Sequence, residues 1–574
     1  MRVFVPISVG GWARLFSRWD VLAALLVLGL LVFLGEASRH LFEPLAELEK
    51  QPPSLDPHYL PEYAARTTLR MLIAMVLSLV FTFTYATLAA KNKRAERLLI
   101  PLLDILQSVP ILGFISVTVV FFMALAPGRV LGAEFAAIFA IFTSQAWNMA
   151  FSFYQSLRTV PTELVEASST FRLNPWMRFW RLDVPFAMPQ LIWNMMMSMS
   201  GSWFFVVASE AISVGNTTVT LPGVGSYIAL AIERRDLAAV WWAIGTMLIV
   251  ILIYDQLLFR PLVAWADRFR FEQEAGVLPP RSWVFDVLRR SRLVDRATAP
   301  LAALWRRSLQ THWFDRPEPK PNRAERHGWT VFVWDGVVLI AVAAALVLLV
   351  RFALRGITLS DCGLALLLGL YTLTRVVVLI ALASVIWVPI GVWIGTRPTA
   401  ARVFQPVAQF LAAFPANLLF PLVVSAIVAL KADPNIWLSP LMILGTQWYI
   451  LFNVIAGAAA IPAEMRAVAA NFRVGGWLWW RKIALPAIFP YYVTGAITAS
   501  GGSWNASIVA EVASWGDQHL HAAGLGAYIA QQTALGDFHR IVLGIAVMSF
   551  YVVVVNRTFW RPLYFYAERK FRLG

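Results

Sequence analysis

The side chains best placed to do chemistry in this chain lie in two short segments that copy one another. The first reads EASSTFRLNPWMRFWRLDVP from Glu166 to Pro185, the second AVAANFRVGGWLWWRKIALP from Ala467 to Pro486. With a shift of 301, the two agree at Pro161/Pro462, Glu163/Glu464, Phe171/Phe472, Arg172/Arg473, Trp176/Trp477, Pro185/Pro486 and Pro189/Pro490. The chemistry these residues suit is recognition. Ala167, Ser168 and Ser169 are small and allow close approach. Phe171 and Trp176 can anchor in a partner's pocket, and Arg172 and Arg178 can meet acidic groups. A competing reading assigns Trp176, Phe179 and Trp180 to an aromatic belt at a membrane interface. Each segment sits between two long apolar runs. A charged, amphipathic segment there crosses lipid only at high cost, so it should lie in water and face a partner.

Catalytic sets are missing. The sequence holds no GxxxxGK[ST] loop to cradle nucleotide phosphates. His519 and His521 lack a third ligand and read as surface residues rather than a metal site. The one cysteine, Cys362, excludes an internal disulfide and a thiolate cluster and reads as a packed apolar residue. No nucleophile constellation is present, so the chain reads as a non-enzyme. Energy for any work must come from separate ATPase subunits or from an ion gradient.

A second set of residues follows each segment. Glu210 and Glu511 end the stretches GSWFFVVASE and GSWNASIVAE, each 25 residues after the proline that opens its helix. That is ~37 Å of helix, enough to reach the opposite membrane face. Two readings stand: a solvated helix cap, or a pathway or outer gate formed with Ser202, Trp203, Ser503 and Trp504. Beyond them, Gly223, Gly225, Gly524 and Gly526 are expected to permit tight turns in outer loops.

The elements that must position these residues are membrane helices. Of 574 residues, 59% are hydrophobic and 14% charged, against roughly a quarter charged in soluble proteins. Apolar runs fall near 20–36, 68–90, 102–125, 133–156, 186–210 and 238–259, then near 331–352, 369–395, 407–430, 435–460, 487–511 and 539–557. The fold class is therefore an all-α polytopic membrane protein of two tandem six-helix repeats, about twelve spans, related by a pseudo-twofold axis along the membrane normal. The repeats are expected at 1–260 and 331–574, with a linker at 261–330. Residues 21–35 read as a retained first helix rather than a signal peptide. The net charge of +15 reflects basic loops rather than nucleic-acid binding. Those loops fall on one side if the N-terminus is cytoplasmic, which puts both termini, the linker and both copied segments inside. The linker's amphipathic turns, such as WVFDVLRRSRLVDR, suggest a segment lying on the inner leaflet.

On these residues the chain resembles the permease component of binding-protein-dependent ABC importers, with two permease domains fused. The copied segments look like that family's EAA motif: a Glu-Ala-Ala start, a glycine six residues on, and hydrophobic-x-Leu-Pro ending nineteen after the Glu. Glu166 and Pro185 have this spacing, as do Ala467 and Pro486, with IALP as the expected ending. Ala467 departs from the motif Glu, and Arg172 and Arg473 from its glycine. Glu464, three residues before Ala467, could substitute in part. The stretches SWxxxxxxE and GxGxYIA look most like the nitrate/taurine/sulfonate/bicarbonate branch. The resemblance implies two coupling helices docking on two ATPase subunits, which would carry the ATP and magnesium, and a solute-binding protein on the outer face of a bacterial inner membrane. The implied solute is a small anion. Two other readings are a gradient-driven secondary transporter, which would want ionisable residues near mid-membrane, and a non-transporting scaffold, which has no need of the copied outer stretches.

Overall fold

The computed structural model describes residues 18–38, 53–214, 217–269, 282–309 and 356–571, with position 44 and isolated positions between 336 and 351. The run expected at 331–352 therefore falls largely outside the described residues.

In the first half, α1 (Arg18–Ser38) precedes α2 (Leu60–Lys91), α3 (Lys93–Ser108), α4 (Ile111–Leu125) and α5 (Val130–Arg158). A short α6 (Thr162–Thr170) leads into α7 (Val184–Ser209). A hairpin of β1 (Ala211–Val214) and β2 (Thr217–Thr220) follows, then α8 (Val224–Glu233) and α9 (Leu237–Tyr254). The linker contributes α10 (Trp283–Arg290) and α11 (Arg292–Leu309). The second half repeats the plan with α12 (Leu359–Gly395), α13 (Pro398–Ala413), α14 (Phe420–Leu430), α15 (Gln447–Ala459) and α16 (Ala463–Asn471). It continues with α17 (Leu485–Ala510), β3 (Val512–Trp515), β4 (Gln518–His521), α18 (Leu525–Leu535) and α19 (Phe538–Val555). The hairpins share one register, Ala211 opposite Thr220 and Val512 opposite His521.

Local chemistry sets the element ends. Asn92 caps α3 by accepting from the N–H groups of Arg94 and Ala95. Asp236 and Asp537 cap α9 and α19 through the N–H groups of Ala239 and Arg540. Thr358 and Asp361 form a reciprocal capping box on α12.

Among the described residues, seven helical stretches are long and apolar enough to cross a membrane, or nine if each bent pair is one span. The difference from straight runs has a cause in proline. The run at 102–125 divides at Pro110, and Val109 before it is extended at ψ 127. The run at 407–430 divides at Pro415, where Phe414 is extended at ψ 129 and the two helices meet at 79°. A residue preceding proline is pushed out of the helical region. Pro434–Leu444 and Gln447–Ala459 are bent by 45° at Gly445 and Thr446, a break without a proline.

The packed core joins α2, α5 and α7 with their counterparts α12, α15 and α17. Outward-facing apolar side chains, such as Val76, Val80, Val377 and Val385, are more than half exposed, as a lipid-facing surface requires. The halves interlock reciprocally: α4 packs on α17 and α19, and α13 on α7 and α9. Asn505 Oδ1 accepts from the Ile111 N–H at 2.6 Å, while Asn417 Nδ2 donates to the Phe204 carbonyl at 3.1 Å. Because α7 runs unbroken for 26 residues, or ~39 Å, the copied loops and the hairpins lie at opposite ends of the bundle.

Candidate functional site: the copied loops and the buried carboxylates

Each copied loop begins with a nine-residue helix. α6 ends with the Leu173 N–H bonded to Ser168 O at 3.1 Å and the Arg172 N–H to Ser169 O at 2.9 Å. α16 ends identically, with Val474 to Ala469 at 2.8 Å and Arg473 to Ala470 at 3.1 Å. This double closure needs a left-handed residue, usually glycine. Arg172 and Arg473 supply it at φ 49 and 51. Both copies thus close this helix with the same left-handed arginine.

Both helices present the same face. Glu163, Glu166, Ala167 and Arg172 are exposed, as are Glu464, Ala467 and Arg473. Phe171 and Phe472 each stand 77% exposed, while Ser168 and Ala469 turn inward. A large apolar side chain is thus left uncovered at the same place on both copies. Beyond the helices a single π-helical turn, Phe179–Asp183 and Trp480–Ala484, re-aims the chain into α7 and α17. Pro185 and Pro486 sit half-buried in the first turns of those helices.

The fastening of the two loops differs. In the first, Lys91 Nζ pairs with Asp183 at 2.5 Å and lies 5.6 Å from the Phe179 ring centroid. Arg178 reaches the same carboxylate at 3.6 Å. Trp176 is half-buried, stacked on Phe179 and edge-on to Trp180. Trp305 of the linker leans on both tryptophans, 4.7 Å from Trp180 and 6.4 Å from Trp176 between centroids. The positions matching Lys91, Arg178 and Asp183 are Thr396, Trp479 and Ala484. Trp477, matching Trp176, is 74% exposed.

At the opposite end, both glutamates are buried. Glu210 accepts from Thr67 Oγ1, Arg70 Nη1 and the Gly225 N–H, each at 2.6 Å. Glu511 accepts from Thr372 Oγ1 at 2.8 Å, Arg375 Nη1 at 3.0 Å and the Ala527 N–H at 3.1 Å. Thr67 and Thr372 also accept from the N–H groups of Val224 and Leu525. Each carboxylate therefore joins three elements: the end of α7 or α17, the helix carrying the arginine, and the start of α8 or α18. The solvated-cap reading is excluded by this burial. Arg70 has a second carboxylate, Glu134, held through two bonds of 2.6 Å. At the matching position stands Asn435, which accepts from the Ala523 N–H instead. The first cluster thus sets two carboxylates against one guanidinium, the second one against one.

The glycines are there for space. Gly223 and Gly524 have extended backbone, φ 178 and −172, so the expected tight turns are corrected at these two positions. A Cβ on Gly223 would lie 2.3 Å from the Glu210 carboxylate, and one on Gly524 2.2 Å from that of Glu511. Gly225 and Gly526 would meet the backbone of Val207 and Ser507 at 2.1 and 2.4 Å.

Ser202, Trp203, Ser503 and Trp504 are buried inside their own halves. Ser202 bonds Ser144 at 2.7 Å and Ser503 bonds Thr446 at 3.0 Å. Trp203 packs edge-on to Tyr254, and Trp504 stacks on Tyr551. The face of α7 that meets the second half carries Gly201, 2.9 Å from the Tyr449 hydroxyl when given a Cβ, and Phe204, whose ring neighbours Phe420. Asn505 holds the equivalent place on α17. His519 and His521 are exposed on β4.

The sequence reading missed Thr67, Glu134, Thr372, Lys91, Asp183 and Trp305. A signal existed for the acidic pair: an arginine repeated at Arg70 and Arg375 within apolar runs must find a carboxylate.

A family model described as binding-protein-dependent transport system inner membrane component matches residues 67–260 and again 387–559. The bicarbonate transport system permease protein of Synechococcus elongatus is 30% identical over 183 residues, 31% of this chain and 62% of the relative. The nitrate import permease protein of Synechocystis is 25% identical over 201 residues, 35% of this chain and 70% of the relative. The glycine betaine/carnitine transport permease protein of Listeria monocytogenes is 27% identical over 193 residues, 33% and 63%. The chain thus spans about 62% of the length of the bicarbonate relatives it matches. With two matched segments that coincide with its two halves, the chain belongs to the family of inner membrane components of binding-protein-dependent transport systems.

Proposed function

We propose that this chain forms the whole translocation pathway of an ABC importer, its two fused halves doing the work of a permease pair. Separate ATPase subunits dock on α6 and α16 and bind the nucleotide and its magnesium. A solute-binding protein delivers solute at the end of the bundle that carries the hairpins. The carrying observation is the pair of loops that present Phe171 and Phe472 equally exposed, on helices closed by the same left-handed arginine. Closure of the ATPases draws the two loops together. The reciprocal seating of α4 and α13 on the opposite half then converts that movement into alternating access.

The buried carboxylates fit a structural role in this scheme. Glu210 and Glu511 fix the hairpins and α8 or α18 to the bundle. A gradient-driven carrier would want such groups facing the boundary between halves, whereas these are satisfied within each half. The solute we assign is a small anion. That assignment rests on the repeated SWxxxxxxE and GxGxYIA stretches and on the bicarbonate and nitrate relatives, and the betaine relatives define the competing class.

Co-purification tests the docking. The chain is expressed with candidate ATPase subunits, and wild type is compared with Phe171→Ala/Phe472→Ala and with Arg172→Glu/Arg473→Glu. Binding by wild type that both double variants weaken supports the reading. Absence of any ATPase from the wild-type complex refutes it. Uptake into proteoliposomes, with bicarbonate, nitrate and glycine betaine in competition, then decides the solute.

A further inference from the structure

The linker helix α11 has an apolar stripe formed by Leu293, Val294, Ala297, Leu301, Leu304 and Trp305, which follow one another at helical spacing. Leu301 is 66% and Leu304 61% exposed. The opposite face carries Arg292, Asp295, Arg296, Arg306 and Arg307, all exposed. With α10 added, six arginines (289, 290, 292, 296, 306 and 307) stand against Asp286 and Asp295.

Two anchors fix where α11 lies. At its start, Asp20 in the first turn of α1 is fully buried and accepts from Ser291 Oγ at 2.8 Å and the Leu293 N–H at 2.9 Å. The neighbouring Trp19 lies under Arg290, 5.1 Å from the guanidinium carbon. Toward its end, Trp305 leans on Trp176 and Trp180, where the chain turns into α7. The residues between Leu293 and Trp305 cover ~18 Å. Both anchors are points where an apolar helix starts from the same end of the bundle. A helix stretched between two such points runs along the membrane boundary.

From this geometry we infer that α11 docks on anionic phospholipid, with its Leu301–Leu304 stripe at the headgroup–acyl boundary and its arginines among the headgroups. An exposed apolar stripe beside a strongly basic face, held level with the span ends, matches the interfacial mode of binding. Through Trp305 the docked helix braces the first copied loop, whereas the second presents Trp477 to solvent. The assignment concerns the lipid surface and stands apart from the ATPase reading.

The test uses the full chain in lipid nanodiscs. Cys362→Ala provides the background, and Leu301→Cys carries an environment-sensitive fluorophore. Ala299→Cys, on the opposite face, is the control. Discs contain phosphatidylcholine alone or with about equal phosphatidylglycerol, each with brominated acyl chains as quencher, and iodide reports water. The expected result is bromolipid quenching at position 301, stronger in the anionic discs, with iodide access at position 299. Arg292→Glu/Arg296→Glu/Arg306→Glu/Arg307→Glu is expected to raise iodide quenching at position 301 by roughly twofold or more in anionic discs. Iodide quenching without bromolipid quenching at position 301 overturns the inference. Shielding from both quenchers does so too, because the stripe is then covered by protein. Equal bromolipid quenching in the two kinds of disc removes the anionic requirement and also counts against it.

Discussion

Removing the arginines of the buried clusters should harm the two halves unequally. Arg375→Met strands one carboxylate, Glu511. Arg70→Met strands two, Glu134 and Glu210, in a site where Arg70 is 2% exposed and Glu210 0%. A stranded carboxylate either stays charged in a dry site or takes up a proton. The second route caps the cost. Protonating an ordinary glutamate at pH 7 spans ~2.7 pH units, which is about 3.7 kcal/mol. Arg375→Met should therefore cost up to about 3.7 kcal/mol, and Arg70→Met about 4–7 kcal/mol, consistent with the usual penalty for breaking a buried pair. The sign with pH follows. Burial pushes the Glu210 and Glu511 carboxyls up, so once the arginine is gone each is protonated in the folded variant and ionises on unfolding, and each variant gains relative to wild type as pH falls. At pH 5 the cap drops to about 1 kcal/mol per carboxylate. Tryptophan-detected thermal unfolding in detergent reads both effects. For a chain of 574 residues the expected drop at pH 7 is about 3 °C for Arg375→Met and about 3–6 °C for Arg70→Met, with most of it recovered at pH 5. Midpoints within about 2 °C of wild type for both variants, or a defect of equal size at both pH values, would refute the reasoning.

Gly223→Ala and Gly524→Ala should each lower stability by about 1–3 kcal/mol, because the added carbon lands on a buried carboxylate. A normal unfolding midpoint for either would show that the hairpin loop can move away. Arg172→Gly and Arg473→Gly should steady their loops by about 1 kcal/mol, read as slower amide exchange at Leu173 and Val474. If ATPase binding weakens while exchange slows, the arginine side chains touch the partner. Lys91→Ala should loosen the first loop alone, raising amide exchange over Trp176–Asp183 and leaving Trp477–Ala484 unchanged. Exchange rising equally in both loops would contradict the assigned fastening.

The copied loops, the duplicated plan and the membrane class were legible in the sequence. Hydropathy, repeat spacing and the proline-bounded loop endings are carried by runs of neighbouring residues, so they survive without coordinates. The sequence marks Arg172 and Arg473 only as replacements of a motif glycine, and their left-handed backbone emerges in the folded chain. Chain folding decided the rest. Glu210 meets Arg70 across 140 residues and Glu511 meets Arg375 across 136, and no local pattern distinguishes such a buried tie from a solvated cap. The glycines at 223 and 524 read as turn formers because their flanks resemble turns, whereas the space they provide is defined by a carboxylate from another element. Trp305 shows the same limit. Its helix was visible as amphipathic, yet its contact with the first copied loop, and hence the difference between the two loops, depends on how the linker returns across the end of the bundle. Periodicity records which face of an element is apolar, and only the packed chain determines what that face meets.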